Sequence, residues 1–262
     1  MALHPHQTAL ITGASSGFGA DFARQLGERG VNLILSARRA ERLQTLKQEI
    51  LTRFPSLTVD VLPLDLVVPG APQQLFDASE ALGRRVDILI NNAGFGLHGT
   101  FLQLPLDRQT ELVELDVRAL IQLSWLFGRG MVERKHGYVL NVSSIATFQP
   151  SPDYAVYAAS KVAVTYFTRA INHEWRGSGV SATVLAPGTS ATEFAVVANQ
   201  GRAWMHTLGD RPSDFVVRSG LDALFRRKEM VVPGWPNALM AGMTRFVPTA
   251  VAMWFARRLT AD

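Results

Sequence analysis

The chain has 262 residues, of which 47% are hydrophobic and only 18% charged, so it can bury a substantial core and is too apolar for a disordered protein. Its formal net charge is +4, but the basic residues form short scattered pairs, which argues against nucleic-acid binding while suiting an anionic ligand. The absence of cysteine excludes disulfides and thiol catalysis, and the six histidines lack metal-binding spacing, so we expect no metal site.

The first residues are polar and lead directly into an apolar run, without the charged-then-apolar pattern of a signal peptide. No uninterrupted apolar run of about 18 residues occurs, so the sequence offers no candidate membrane span. We therefore expect a cytoplasmic protein with one domain over residues 1–262 and a flexible N-terminus at 1–6.

Short apolar runs alternate with helix-like segments along the chain. Strands are predicted at 8–12, 31–37, 57–62, 87–91, 137–142, 180–185 and 229–232, and helices at 17–29, 40–54, 69–82, 106–133, 154–175 and 212–227. The strands are continuous apolar runs, which is typical of parallel strands buried on both faces. This order predicts an α/β fold, a Rossmann-type doubly wound parallel sheet of about seven strands with helices on both faces.

Two segments break the alternation of strands and helices. Residues 189–211 combine small and aromatic residues after a strand end, and we interpret them as a substrate lid. Residues 235–258 are apolar but are interrupted by Arg245 and Pro248, which predicts a terminal helical segment that covers the core or contacts a second subunit. The alternative is a patch that makes weak peripheral contact with a membrane or a lipidic substrate.

A glycine-rich turn, Thr12-Gly-Ala-Ser-Ser-Gly-Phe-Gly19, joins the first predicted strand to the first predicted helix. Glycine suits a tight turn and lets a pyrophosphate approach the backbone closely, and the helix N-terminus offers free N–H groups and a positive dipole end. No Lys-Ser/Thr follows the last glycine, so the pattern is not a P-loop. Its position after a buried strand therefore indicates a dinucleotide site.

The end of the second predicted strand indicates which dinucleotide the site would bind. A carboxylate there usually binds the ribose hydroxyls, but this sequence has Ala37-Arg38-Arg39. The planar guanidinium of Arg38 suits a 2′-phosphate, so we expect NADP(H) to be favoured over NAD(H). The alternative is that Arg38 and Arg39 only flank a solvated helix start.

With further motifs downstream, residues 7–233 resemble the short-chain dehydrogenase/reductase family. The matching pieces are the turn at 12–19, Asp65, Asn91-Asn92-Ala93-Gly94, Ser143-Ser144, Tyr157-Ala-Ala-Ser-Lys161, and Pro187-Gly188 with Thr192. The resemblance implies that the turn holds the pyrophosphate, that Asp65 contacts adenine, and that the Pro-Gly segment and Thr192 lie beside the nicotinamide.

The full set of expected cofactor contacts follows from the turn, the arginine and this resemblance. It comprises Gly13, Ser15, Ser16, Gly17, Phe18, Gly19, Arg38, Asp65, Leu66, Asn92, Ala93, Gly94, Tyr157, Lys161, Pro187, Gly188 and Thr192.

Three residues are expected to carry out the chemistry. Lys161 follows Tyr157 by four residues on one helical face, and an adjacent ammonium favours the phenolate over the phenol. Ser144 follows a predicted strand and can donate to a substrate oxygen. By resemblance in spacing we assign the serine role to Ser144 rather than Ser143. This trio would transfer hydride between nicotinamide and a carbonyl/alcohol pair, with Tyr157 as the acid/base.

Asp116 departs from the family pattern, which often has an asparagine here whose backbone carbonyl holds a water linked to the lysine. We include Asp116 in the catalytic set and expect its charge to lie near the proton relay and to alter the pH dependence. It is also the only support for an alternative function, a catalytically impaired NADP(H)-binding sensor or scaffold.

The predicted pocket segments are 95–98, 145–151 and 193–208. They are mostly apolar or aromatic, which favours a hydrophobic ketone, aldehyde or secondary alcohol as substrate. The helices predicted at 106–133 and 154–175 carry more apolar surface than one sheet face needs. Equivalent helices often form oligomer interfaces in the family, so we expect a homodimer or homotetramer.

Overall fold

The computed structural model describes residues 7–188, 211–244, 246–248 and 253. The predictions made for the N-terminal segment 1–6, for all but the last residue of the lid predicted at 189–211, and for Thr192 fall outside these residues.

The described part of the chain contains one seven-stranded sheet. Its strands are β1 (Thr8–Thr12), β2 (Asn32–Ala37), β3 (Val59–Pro63), β4 (Val86–Asn91), β5 (Gly137–Val142), β6 (Val180–Leu185) and β7 (Met230–Val231). Their spatial order is β3-β2-β1-β4-β5-β6-β7, and every neighbouring pair is parallel. This confirms the predicted Rossmann-type sheet.

Helices occupy most of the connections between these strands. They are α1 (Gly17–Glu28), α2 (Ala40–Arg53), α3 (Ala71–Ala81), α4 (Leu106–Val113), α5 (Leu120–Glu133), α6 (Ala155–Glu174), α7 (Ser213–Phe225) and α8 (Trp235–Met243).

The sheet separates two hydrophobic cores, as its strand pattern predicts. Along β1, Ala9 and Ile11 enter the core formed with α1, α2 and α7, whereas Leu10 enters the core on the opposite face. Phe22 of α1 and Phe127 of α5 are examples of the large side chains that fill the two cores. Since successive strand residues point to opposite faces, helices on both sides are needed to bury them.

The chain reverses its direction of travel across the sheet at β1. It moves outward through β2 and β3, then returns to place β4 on the other side of β1. In open α/β sheets a crevice forms at the carboxyl ends of the strands at such a switch point. The carboxyl ends of β1 and β4 therefore define where a ligand site should lie.

The helix predicted at 106–133 contains an irregularity that its apolar pattern does not indicate. A π-helical segment, Glu114–Ala119, separates α4 from α5 and contains the buried Asp116. Single π-helical turns inside α-helices occur frequently at functional sites. A short 3₁₀ helix, Ile145–Phe148, also follows β5 directly and was not predicted.

The final elements are shorter than predicted within the described residues. The strand β7 has two residues, and α8 covers only the beginning of the predicted 235–258 segment. In the described part of the chain, no helix combines the length and the apolar character that crossing a bilayer requires. The same residues contain no group of three or more side chains suited to hold a metal ion.

Candidate active site

The glycine turn lies at the carboxyl end of β1 and has no room for side chains at two positions. Gly13 has a φ of 67°, and a Cβ there would lie 2.9 Å from the Cα of Ala93. A Cβ on Gly19 would lie 2.2 Å from the carbonyl oxygen of Gly13. The turn thus packs its backbone closely against itself and against the end of β4, which only glycine permits.

The N-terminus of α1 follows this turn. Ser16 occupies the N-cap position, but its side chain does not cap the helix, and the first turn holds no acidic residue. The positive end of the helix dipole is therefore not neutralised by an acidic side chain of its own first turn, which begins at Gly17 directly after the glycine turn. A turn without side chains at Gly13 and Gly19, joined to this helix end, fits a pyrophosphate.

Thr12 ties the glycine turn to the end of β4. Its hydroxyl accepts hydrogen bonds from the backbone N–H groups of Asn92 and Ala93, each at 3.0 Å. The side-chain amide of Asn92 in turn donates to the Thr12 carbonyl at 2.9 Å. Sequence reasoning selected Asn92, Ala93 and Gly94 but not Thr12, although a hydroxyl residue that ends the first strand was a usable signal.

Two arginines follow the carboxyl end of β2. Arg38 is exposed, and its Nη1 lies 3.9 Å from the Oδ2 of Asp65. Arg39 stands at the N-cap position of α2, yet its Nη2 donates to Ser15 at 3.1 Å and to Ser16 at 2.8 Å. The sequence singled out Arg38, whereas the structure also places Arg39 directly on the glycine turn.

Leu66 follows Asp65 and is buried in the core between α3 and α5. Asp65 accepts a hydrogen bond from the backbone N–H of Val67 at 3.2 Å, which orders the loop after β3. Of these two expected cofactor contacts, Asp65 is therefore the one whose side chain lies near Arg38, whereas Leu66 belongs to the core.

Tyr157 and Ser144 lie on the side of β4 that is opposite β1 and the glycine turn. Tyr157 projects from the first turn of α6, Ser144 follows β5, and the two side chains share a hydrogen bond. Ser144 also caps the 3₁₀ helix by accepting from the N–H of Ala146 at 3.1 Å. The phenol and the hydroxyl are thus held side by side, as a substrate oxygen would require.

Ser143, the neighbouring hydroxyl, has a different environment. It is buried, it donates to the carbonyl of Lys161 at 2.9 Å, and it lies 2.7 Å from the hydroxyl of Thr165. Ser143 therefore joins β5 to α6, while Ser144 faces the phenol.

Lys161 lies close to the phenol but is held by a carboxylate. Its Nζ is 5.5 Å from the centre of the Tyr157 ring and 2.8 Å from the Oδ2 of Asp116. It also donates to the carbonyl of Val142 at 3.3 Å. The sequence analysis expected the charge of Asp116 to lie near the relay, and the structure shows its side chain in a buried ion pair with the lysine.

Burial and charge act against each other on these groups. Burial raises the pKa of the Tyr157 phenol, and this outweighs the lowering by Lys161 and by the Ser144 hydrogen bond, while Asp116 raises it further. The expected effect of the ammonium is present, but the net pKa direction is upward. Burial lowers the pKa of Lys161, but Asp116 and Tyr157 outweigh it and the net direction is again upward.

The Pro187-Gly188 segment follows β6 at the same edge. The carbonyl of Pro187 accepts from the N–H of Ile145 at 2.9 Å, which connects this segment to the loop that carries Ser144. A Cβ on Gly188 would lie 2.4 Å from the side-chain nitrogen of Asn237 in α8. The expected nicotinamide-side segment is thus packed between the serine loop and α8.

An aromatic row leads away from the phenol. The Tyr154 ring lies 6.0 Å from the Tyr157 ring, and the His98 ring lies 4.9 Å from that of Tyr154. Phe95 and Phe148 belong to the predicted pocket segments and are both half-buried. In sequence they lie close to His98 and Tyr154, respectively. The described pocket segments, 95–98 and 145–151, thus contribute the aromatic residues Phe95, His98 and Phe148.

Taken together, the sheet, the glycine turn and the Ser144–Tyr157–Lys161 group define an oxidoreductase of the Rossmann type. A family model described as short chain dehydrogenase matches residues 7–203. The chain belongs to this family, the short-chain dehydrogenases/reductases, whose members act on alcohols and carbonyls.

Three similar proteins show the extent of the likeness. An uncharacterized oxidoreductase of Myxococcus xanthus is 30% identical over 99% of this chain and 100% of that protein. Sulfoacetaldehyde reductase 2 of Chromohalobacter salexigens is 35% identical over 73% of this chain and 76% of that protein. The structure of a short-chain dehydrogenase from Sphingobium yanoikuyae in complex with NADPH has a TM-score of 0.81 and 27% identity, covering 93% of this chain and 97% of that one.

Proposed function

We propose that the protein is an NADPH-dependent reductase of hydrophobic ketones or aldehydes that also runs in the alcohol direction, with Tyr157 as the acid/base. The observation that carries this proposal is the placement of the Ser144 hydroxyl and the Lys161 ammonium at the Tyr157 phenol, where both lower its pKa, with Lys161 5.5 Å from the phenol ring, at the sheet edge that also carries the glycine turn.

The cofactor would occupy the crevice from Arg38 to Pro187. The glycine turn and the N-terminus of α1 suit its pyrophosphate, and the segment around Pro187 and Gly188 suits its nicotinamide end. When bound, NADP(H) supplies or accepts the hydride. The remaining chemistry belongs to the protein, which must bind the substrate oxygen and move one proton.

Each residue of the site has a defined task in this mechanism. Ser144 donates a hydrogen bond to the carbonyl oxygen and stabilises the negative charge that develops there. Tyr157 gives its proton to the same oxygen during reduction and takes it back during oxidation. Lys161 lies beside the phenol and contributes positive charge, which Asp116 partly balances at 2.8 Å.

The preference for NADP(H) rests on the two arginines at the end of β2. A 2′-phosphate brings two negative charges to a place where this chain has Arg38 and Arg39 and no carboxylate at the strand end. Arg39 donates to two hydroxyls of the glycine turn, which holds its positive charge beside that turn. The NADPH complex of the Sphingobium relative supports the same preference.

The substrate class rests on the lining of the described pocket segments. Phe95, Phe148 and Tyr154 present aromatic surface, which favours an apolar substrate with one polar carbonyl. The lid residues 193–208, which would complete the pocket, lie outside the described residues.

We further propose a homodimer or homotetramer formed through α5 and α6. Trp125 on α5 and Tyr166 on α6 are 59% and 66% exposed, which is unusual for aromatic residues of helices that cover a core. Sedimentation analysis of the parent and of a Trp125→Glu variant tests this. We expect the variant to shift toward monomers, and a monomeric parent would contradict the proposal.

Weak peripheral membrane contact through α8 is a separate proposal. Trp235, Leu239 and Met243 follow one another at helical spacing and are all exposed. Flotation with anionic liposomes, with and without residues 235–262, measures it. Absence of the full-length protein from the liposome fraction would contradict it.

The second candidate function is a catalytically impaired NADP(H)-binding sensor or scaffold. The ion pair between Asp116 and Lys161 favours it, because the carboxylate offsets the charge that would promote proton transfer. A panel of hydrophobic ketones and aldehydes, followed at the NADPH absorbance and run in parallel with NADH, separates the two candidates. Turnover that Tyr157→Phe abolishes supports the reductase, whereas tight NADPH binding without turnover supports the sensor.

A further inference from the structure

The charge at position 116 is the one feature of the site that the reductase mechanism does not require. Asp116 is buried, and its carboxylate binds the Nζ of Lys161 at 2.8 Å, while the ring centre of Tyr157 lies 5.5 Å from the same nitrogen. The carbonyl of Val142 receives a second hydrogen bond from Lys161 at 3.3 Å. The ammonium of Lys161 is therefore engaged by two acceptors besides its contact with the phenol ring.

The surrounding structure is adapted to a carboxylate at this position. Asp116 accepts hydrogen bonds from the N–H of Phe95 at 3.3 Å and from the hydroxyl of Ser160 at 3.5 Å. A Cβ at Gly94 would lie 2.8 Å from its Oδ1, so the chain passes close to the carboxylate without a side chain. Donors thus come from the loop after β4 and from α6. Burial raises the pKa of the Asp116 carboxyl, while Lys161 and these two donors act against that rise and favour the charged form.

Few other charges face this group within the described residues. Arg108 of α4 lies over the Phe95 ring and pairs with Glu111, and Arg118 of the π-helical segment pairs with Glu114. On the pocket side, His98 reaches the phenol only through the Tyr154 ring. The electrostatic balance at Tyr157 is therefore set mainly by Lys161 and Asp116, the two charges that act on its pKa.

We infer that Asp116 is a positioning residue that biases this site toward carbonyl reduction, by balancing the ammonium of Lys161 and so keeping Tyr157 in its phenol form. The inference rests on the proposed function. In reduction, the carbonyl carbon receives the hydride and the phenol gives its proton to the oxygen. In oxidation, the alcohol carbon loses the hydride and a phenolate must accept the hydroxyl proton, so a site that retains the phenol favours the first direction.

The upward pKa direction of Tyr157 supports this inference. It also determines the direction in which the pH profiles of oxidation and reduction should move when Asp116 is changed. Burial and Asp116 raise the pKa, so the phenol persists to higher pH and the phenolate needed for oxidation forms only above that pH. Removing the Asp116 charge should lower the pKa of Tyr157 and move the rising limb of alcohol oxidation to lower pH. The falling limb of carbonyl reduction should move in the same direction.

The direct test is a titration of the phenol in the protein without cofactor or substrate. Phenolate absorbance is followed against pH in the parent and in Asp116→Asn, and the contribution of Tyr157 is isolated by subtracting the same titration with Tyr157→Phe, since the chain has 4 tyrosines. We expect Tyr157 in the parent to titrate above the ordinary phenol value of about 10. In Asp116→Asn we expect a lower Tyr157 pKa than in the parent.

Asp60→Asn is the matched control, because it also removes one carboxylate charge but lies on β3, at the opposite edge of the sheet, paired with Arg84 at 2.8 Å. It should leave the titration of Tyr157 unchanged. Equal Tyr157 titrations in the parent and Asp116→Asn would overturn the inference. A Tyr157 pKa below about 10 in the parent would overturn it too, whether or not the variant folds.

The rate profiles keep this inference separate from the proposed function. Oxidation and reduction rates of the parent and Asp116→Asn are measured against pH with the best substrate of the panel. Turnover with superimposable profiles contradicts the role of Asp116 and leaves the reductase assignment intact. Absence of turnover together with the expected shift of the phenol titration contradicts the reductase and leaves the electrostatic role of Asp116 intact.

Discussion

The two halves of the crevice are built in different ways. The cofactor half, around the glycine turn, is shaped by backbone: Gly13 and Gly19 leave no space for a Cβ, and α1 presents an uncapped N-terminus. The catalytic half is shaped by side chains from three separate segments, namely Asp116, Ser144 and the Tyr157–Lys161 pair. The first half is centred on one short segment, residues 12–19, which packs against the end of β4, whereas the second half is assembled from side chains of separate segments.

This difference determines how each half should respond to mutation. A change in the cofactor half alters fit and should affect binding, because the turn offers shape and backbone N–H groups rather than titratable groups. A change in the catalytic half alters proton transfer and should affect turnover and its pH dependence. A substitution that moved both measurements equally would weaken the distinction between the halves.

The largest effect is expected for Tyr157→Phe. The ring and its packing remain while the transferable proton is lost, so kcat should fall by about 10³-fold, within the usual range for general acid–base groups. NADPH affinity, measured by calorimetry, should stay within about twofold of the parent. Substantial turnover by the variant would remove Tyr157 from the proposed mechanism.

Ser144→Ala should reduce kcat by about 10²-fold, because one donor to the developing oxyanion is lost. Its neighbour provides the matched control: Ser143→Ala removes buried hydrogen bonds to Lys161 and Thr165. We expect that control to lose about 1 to 3 kcal/mol of unfolding free energy, measured by urea denaturation, with a smaller effect on kcat. If Ser143→Ala instead reduced kcat strongly and Ser144→Ala mainly lowered the unfolding free energy, the catalytic role would belong to Ser143.

Gly19→Ala tests the cofactor half. The new Cβ would meet the Gly13 carbonyl at 2.2 Å, so the turn must shift and NADPH should bind about 10²-fold more weakly. Gly242→Ala in α8 is the control, since a Cβ there meets nothing within 4 Å. Its NADPH affinity should equal that of the parent, and an unchanged affinity in Gly19→Ala would contradict close packing of the turn around the pyrophosphate.

The smallest effect is expected for Arg39→Ala, which removes one charged partner of the 2′-phosphate. NADPH affinity should fall about tenfold while NADH affinity changes little. Arg53→Ala, at the other end of α2 and paired with Glu28 at 2.8 Å, is the matched control and should alter neither affinity. Equal losses for both cofactors in Arg39→Ala would argue against a 2′-phosphate contact.

The fold was predictable because its signals are local and repeated. Each strand is a short apolar run, each helix has one apolar face, and the order of the two fixes the class of sheet. For most elements, the observed boundaries differ from the predicted ones by one or two residues. The π-helical segment at Glu114–Ala119 escaped prediction, because the apolar pattern of the helix continues through it.

The site was partly predictable for a related reason. The glycine turn and the Tyr157–Lys161 spacing are visible as motifs, and the structure brings them to the same edge of the sheet together with Ser144. The contacts of Arg39 with the turn, the hydrogen bonds of Thr12 and the ion pair of Asp116 depend on which segments pack together. No periodicity or spacing in one chain encodes such distances.

A crystal structure of the protein with NADP⁺ and a substrate ketone tests the assignment most directly. We expect the pyrophosphate on the Gly13–Gly19 turn, the 2′-phosphate beside Arg38 and Arg39, and the ketone oxygen within hydrogen-bond distance of both Tyr157 and Ser144. A dinucleotide bound elsewhere, or a ketone oxygen beyond the reach of the Tyr157 hydroxyl, would contradict it.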